Sequence, residues 1–166
     1  MASTPPMTSV ITNAEIHDAA TDLLEAMDAR RRLLAGLDSF LQSSADELTI
    51  DPDYTYDPLF IEEFKKRLRS RFDPAPFIAA EVTIYEAHFT AAELRELAQA
   101  QRDRKDGREP ELSQALGEKL ATTMMAMQRE TLEATSELGA KLSAQIAQEL
   151  RKEHPEWFKL KNATTA

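Results

Sequence analysis

The sequence predicts an all-α fold: an irregular bundle of five to six helices with a long C-terminal helix. Three observations carry this. Among 166 residues there are only 4 glycines and 8 prolines, while Ala, Leu, Glu, Gln, Lys and Arg, the best helix formers, dominate. Apolar residues recur at helical spacing over long stretches, and no alternating run reads as a strand. Helix-start chemistry appears repeatedly, most completely in Phe89-Thr90-Ala91-Ala92-Glu93-Leu94. There Thr90 is an N-cap, Glu93 is the return partner of a capping box, and Phe89 and Leu94 form a hydrophobic staple.

Taken in order, residues 1–11 are small, polar and Pro-containing, which predicts a disordered start. A single helical domain is expected over 12–158 and a flexible tail over 159–166. Ile11-Thr12-Asn13-Ala14-Glu15-Ile16 repeats the box and staple and so predicts a helix start at Thr12. Ile16, Ala20, Leu23, Met27, Arg30, Leu34, Leu37 and Leu41 then follow a 4-3-4-3 spacing. Asp28 is able to cap a second helix, so 13–46 reads as one bent helix or two. Residues 46–57 carry turn formers and read as a loop. Asp57-Pro58 starts the next helix, with Asp as N-cap and Pro at the first helical position. Its stripe is Phe60, Phe64, Leu68 and Phe72. Asp73-Pro74 repeats the device ahead of Phe77, Ile78, Glu81, Val82 and Tyr85.

The helix opened by Thr90 runs into the charged, Gly- and Pro-punctuated stretch 102–110, a solvated loop or frayed end. A long helix follows over about 111–153. Leu116, Leu120, Met124, Met127, Thr131, Leu138, Leu142 and Ile146 lie along one face. Their spacing, close to 11 residues per three turns, suits a nearly straight helix. Gly117 and Gly139 inside it each cost about 1 kcal/mol against Ala, which predicts a close helix crossing or a bend. Pro155 ends the helix, leaving Trp157 and Phe158 to fold back on its end.

Composition narrows the function. With no cysteine, disulfides, thiolate metal sites and cysteine nucleophiles are excluded. A net charge of -9 disfavours binding to phosphate backbones, so no nucleic-acid partner is expected. No apolar run reaches the roughly 20 residues of a membrane span. The first residues lack the basic and apolar regions of a signal peptide. Such a start fits a cytoplasmic N-terminus or an initiator Met on a trimmed mature protein. There is no Gly-x-Ser-x-Gly and no phosphate-binding glycine loop. No catalytic residue, cofactor or metal site is assigned.

Three weaker features remain. Glu81, Tyr85 and His88 share one helical face at i, i+4 and i+7, a set able to bind a metal or move a proton. The plainer alternative is an inward Tyr with His88 near the helix C-terminus, where a cation is welcome. Met124, Met125 and Met127 suit an adaptable groove, although Met124 and Met127 also fit a plain core stripe and Met125 points elsewhere. Lys65, Lys66, Arg67, Arg69 and Arg71 fall in the last turns of their helix, where they offset its dipole. A patch for a membrane headgroup or an acidic partner is the sharper reading and the less favoured one.

Tyr85, Phe89, Thr90, Glu93 and Leu94 stand in a Tyr-x-x-x-Phe-Thr-x-x-Glu-Leu pattern. With Leu116-Gly117-Glu118-Lys119-Leu120 further on, the stretch 84–127 resembles the DUF2059 family of bacterial proteins of unknown function. The charged segment 98–115 replaces the family's short aromatic, Ser-Pro-type turn. The resemblance implies an all-α fold and a periplasmic or secreted home, with a cytoplasmic one as the alternative. It brings no catalytic residue. The expected function is a non-enzymatic one: binding a partner protein, or self-association as a homo-oligomer, through helix faces. The alternative is a small apolar-ligand or lipid carrier with a cavity near Tyr85, Met124 and Met127. An enzyme using Glu81, Tyr85 and His88 is the third reading.

Overall fold

The computed structural model describes residues 8–43 and 53–161, with side chains from Asn13 onward. The chain is all-α. Its helices are α1 (Thr8–Ala26), α2 (Ala29–Gln42), α3 (Pro58–Arg71), α4 (Ala75–His88), α5 (Ala91–Lys105) and α6 (Gln114–Glu153). A two-stranded antiparallel sheet joins β1 (Tyr54–Tyr56) to β2 (Phe158–Leu160), with Thr55 opposite Lys159. Between α6 and β2 lies a short 3-10 turn, Pro155–Trp157.

The contacts divide the chain into two compact units. One contains Met1–Arg32 and Ala75–Thr135, the other Leu33–Pro74 and Ser136–Ala166. Both are discontinuous, and α2 and α6 each run from one into the other.

In the first unit α1 packs against α4 and α5. Ala20, Leu23 and Leu24 from α1 meet Val82 of α4, Leu94 and Ala98 of α5, and Leu116 and Met127 of α6. Burying apolar side chains of this size contributes about 1.5–3 kcal/mol each before entropy is counted. Where α1 ends, Asp28 adopts a left-handed conformation, φ 52°. Asp is one of the few non-glycine residues that tolerate it, because its short polar side chain bonds locally. The Met27 N–H closes on the Leu23 carbonyl, and Arg32 N–H opens α2 on the Asp28 carbonyl. Lys105 lies 2.6 Å from the Asp28 carboxylate. Its hydrogen bond holds that carboxyl below its ordinary range. Of the two readings for 13–46, two helices is therefore the observed one.

The capping box at Thr90 is formed in full. Glu93 N–H donates to Thr90 Oγ1 at 3.3 Å, and Thr90 N–H donates to Glu93 Oε2 at 2.8 Å. Phe89 and Leu94 are both buried, as a staple requires. Lys119 adds a third party: its ammonium reaches Glu93 at 2.7 Å and lies 5.2 Å from the Phe89 ring centroid. Asp106 and Gly107, the latter at φ 73°, close α5 in the left-handed turn that glycine supplies without a Cβ clash. Glu96 then accepts from the backbone and hydroxyl of Ser113, just ahead of α6. An acid there complements the positive end of the helix dipole.

The second unit is built around aromatic residues. Asp57 Oδ1 accepts from Leu59 N–H at 2.9 Å, with Pro58 at the first position of α3, as the sequence predicts. Phe60, Phe64 and Leu68 of α3 pack on Ile146 and Leu150 of α6. Trp157 and Phe158 fold back onto this core. Phe60 lies 4.8 Å from both the Tyr56 and the Phe158 ring centroids. Arg151 sits over Tyr54 and Phe158 at 4.7 and 5.1 Å, within cation–π range.

Several expectations need correction. α1 is already helical at Thr8, so Thr12 lies inside a helix and does not start one. Residues 1–7 lie outside the described residues. The loop expected over 46–57 contains β1, and the tail contains Lys159 and Leu160 of β2. Strands of three residues are too short to show a period of two. The rest of that loop and of the tail, 44–52 and 162–166, lies outside the described residues. A Cβ added at Gly117 or Gly139 would meet nothing within 4 Å, so neither glycine is there for a close crossing. Met124 is 49% exposed and does not belong to the core stripe.

The basic run of α3 pairs internally. Lys65 donates to the Ser43 carbonyl at 2.6 Å, Lys66 meets Glu63 at 3.3 Å, and Arg69 meets Asp38 at 3.1 Å. Arg67 reaches Glu153 at 2.6 Å and Glu63 at 3.0 Å, and Arg71 reaches Glu149 at 2.6 Å. These partners hold Glu63, Glu149 and Glu153 below their ordinary range, chiefly through hydrogen bonds from Arg67, Arg71 and Arg67 respectively. A carboxylate depressed in the folded state stabilises it above the unfolded-state value. That contribution is lost as pH falls through the folded value. Stability measured by urea unfolding is therefore expected to fall on going from pH 7 toward strong acid. Arg67→Gln is expected to flatten that fall. An identical pH profile in the variant would show that the network contributes nothing.

Candidate functional site

The first unit carries a groove of about 520 Å³. Three helices, α2, α4 and α6, and the turn after α1 line it, each for a local reason. Met27 is the last side chain before the left-handed Asp28. Arg32 follows one turn later, so the break between α1 and α2 brings a guanidinium to the groove. Glu81 and Tyr85 are i and i+4 on α4, one above the other on a single face. From α6 come Leu120, Met124, Met127 and Leu132. Leu120, Met124 and Met127 recur at steps of four and three residues, Leu132 lies two four-residue steps beyond Met124, and together they form an apolar wall. Gln128, Thr131 and Thr135 complete the lining with neutral polar groups.

At the polar end of the groove sits an ion pair. Arg32 Nη2 donates to Glu81 Oε2 at 2.6 Å. Glu81 is only 5% exposed, the one buried charged side chain among the described residues. An acid this buried needs a partner, because an unpaired charge in low dielectric is costly. Arg32 itself is half exposed, so one end of the pair faces the groove and water. Tyr85 lies beside them, its hydroxyl donating to the Met27 sulfur at 3.7 Å. Thioether sulfur is a weak acceptor. Burial pushes the Tyr85 phenol above its ordinary value, and the Glu81 charge pushes it further in the same direction. The phenol therefore keeps its proton at neutral pH and acts as a donor.

Of the residues singled out in the sequence, Glu81, Tyr85, Met124 and Met127 come together here. His88 does not. Its Nε2 lies 2.9 Å from Glu130 on α6, and it takes no part in lining the groove. Glu81, Tyr85 and His88 thus turn to three different partners, Arg32, Met27 and Glu130. A proton relay through the three finds no support in these pairings. Among the described residues no group of three or more His, Asp or Glu side chains is placed to hold a metal ion. Phe89, Thr90, Glu93 and Leu94 are occupied in capping and core packing and do not line the groove, although Phe89 stacks on Tyr85 with ring centroids 6.1 Å apart. Met125, 78% exposed, points elsewhere as its spacing predicts.

Sequence reasoning missed Arg32. It lies 49 residues from Glu81, and nothing local links them. The available signal was a glutamate in the middle of an apolar α4 pattern, which calls for a cation from another element. No described helix is long and apolar enough to cross a membrane. Comparison of the chain with protein-family models, with curated proteins and with solved structures finds no match.

Proposed function

We propose that the protein is a non-enzymatic binding protein that carries a small apolar ligand in the groove of its first unit. One observation carries this reading: an apolar wall from α6 and a small set of convergent polar groups, Arg32, Glu81 and Tyr85, face the same 520 Å³ concavity. Sites for small ligands have this composition, within a range of about 300–1,000 Å³. Methionines in the wall add adaptability, since the unbranched thioether chain reshapes around different occupants.

A second reading, self-association through α6, is favoured by a separate observation. Met125 and Leu132 are 78% and 68% exposed and lie seven residues apart on that helix. Two helical turns separate them, so they stand on one face, suited to a second copy of the same helix. The resemblance of Tyr85, Phe89, Thr90, Glu93 and Leu94 to the DUF2059 pattern belongs to the same proposal, and so does the periplasmic or secreted home it implies. An export signal on the genomic precursor would support that location, and a precursor without one would favour a cytoplasmic home.

Native mass spectrometry of protein purified without refolding tests the carrier reading. An adduct is expected on the wild-type chain and its loss on Met124→Glu, a change at a half-exposed position. A clean apo mass for the wild type would overturn the reading. Light scattering that shows a monomer at every concentration would remove the self-association reading.

A further inference from the structure

The charges and hydrogen-bonding capacity of the groove constrain the chemistry of its occupant. Among the described lining residues only Arg32 and Glu81 are charged, and they neutralise each other at 2.6 Å. A ligand carboxylate drawn to Arg32 would be placed against the Glu81 carboxylate and would compete for the one cation that compensates this buried acid. A cationic head would meet Arg32 itself, the more exposed member of the pair. The groove therefore penalises both signs of charge.

The unused capacity is richest in donors, to which the neutral side chains of Gln128 and Thr131 add groups able to donate or accept. The guanidinium of Arg32 carries five N–H groups, and its described bond is the single one to Glu81. The Tyr85 hydroxyl has only the Met27 sulfur, which any oxygen acceptor would outcompete. Thr135 already donates to the carbonyl of Thr131 at 2.7 Å. Leu120, Met124, Met127 and Leu132 leave the rest of the concavity to hydrocarbon.

From this we infer that the ligand class is an uncharged amphiphile: an apolar chain or ring system bearing a neutral hydrogen-bond acceptor, such as an amide or ester carbonyl, held by Tyr85 and Arg32. The inference rests on the carrier reading and narrows it. Tyr85 and Arg32 are binding residues in this scheme, and Glu81 is a selectivity residue that excludes anions.

Three probes with the same hydrocarbon tail separate the classes: N-methyldecanamide, decanoate and decyltrimethylammonium, titrated calorimetrically at neutral pH below their aggregation limits. The amide is expected to bind about tenfold more tightly than either ion, the equivalent of one charge-assisted interaction gained or lost. Tyr85→Phe is expected to weaken the amide about fivefold, the worth of one hydrogen bond. Glu81→Gln, which frees Arg32, is expected to raise decanoate affinity and reverse the order. Decanoate binding as tightly as the amide to the wild type would overturn the ligand class and leave the carrier reading standing. No binding by any of the three, together with a clean native mass, would overturn both. A dimer in light scattering that excludes all three probes would assign the groove to a second copy and likewise overturn the inference. The wild-type comparison decides the matter even if Glu81→Gln fails to fold, which circular dichroism would reveal.

Discussion

Phe60→Ala is expected to destabilise the second unit by about 3–5 kcal/mol, the usual cost of deleting a buried aromatic. Phe60 is 0% exposed, and its ring touches Tyr56, Phe64 and Phe158 with centroids 4.8–5.8 Å apart. Removing it empties the point where β1, α3 and β2 meet. Interacting aromatic pairs add about 0.5–1.5 kcal/mol beyond burial, so the upper part of the range is the expectation. Trp157, the only tryptophan in the chain, packs on this same core and gives a local readout. Urea unfolding followed by its emission should show an earlier midpoint for Phe60→Ala and a smaller shift for Phe60→Leu. A loss under about 1 kcal/mol, the scale of a tolerated core swap, would mean that this aromatic cluster is not what holds the unit.

The second large effect is in the other unit. Leu94→Ala is expected to cost about 2–5 kcal/mol, because Leu94 is 0% exposed and lies in the core of α1, α4, α5 and α6. Thr90→Ala, at the cap of the same helix, is expected to cost only about 0.5–2 kcal/mol. The contrast separates two contributions packed into five residues: the cap sets where α5 begins, and the staple residue anchors it. Circular dichroism during urea unfolding provides the comparison. If Thr90→Ala proves the costlier change, the segment acts mainly through its cap and the core assignment of Leu94 is wrong.

What was legible in the sequence follows the range of the interactions. The Thr90 box and the Asp57-Pro58 start are settled within four residues, by a side chain and the backbone next to it, so they are readable from the string. The helix stripes around Leu23, Phe64 and Ile146 are readable because burial follows the helical period. The same local motif at Thr12 misled, since a Thr followed three residues later by Glu also fits inside a helix that began earlier. Asp28 was readable as a breakpoint but not as a left-handed residue, a conformation selected by how α1 ends. β1 and β2 were invisible because their pairing spans 104 residues at Thr55 and Lys159. The groove was half legible: Tyr85, Met124 and Met127 were named from spacing. Its charge pair and the departure of His88 to Glu130 depend on which helices become neighbours.

The interleaving of the two units has a consequence for the order of events during synthesis. The first unit has all its segments once Thr135 has emerged from the ribosome. The second does not. Its α3 is made early, yet Ile146 and Leu150, which cover Phe60, Phe64 and Leu68, and the strand that pairs with Tyr54–Tyr56 arrive much later. A long loop must close before that pairing is rewarded, and such closures are slow. Until those segments arrive, the apolar face of α3 that carries Phe60, Phe64 and Leu68 lacks its partners. An apolar face left uncovered during synthesis is a place where a nascent chain is prone to aggregate.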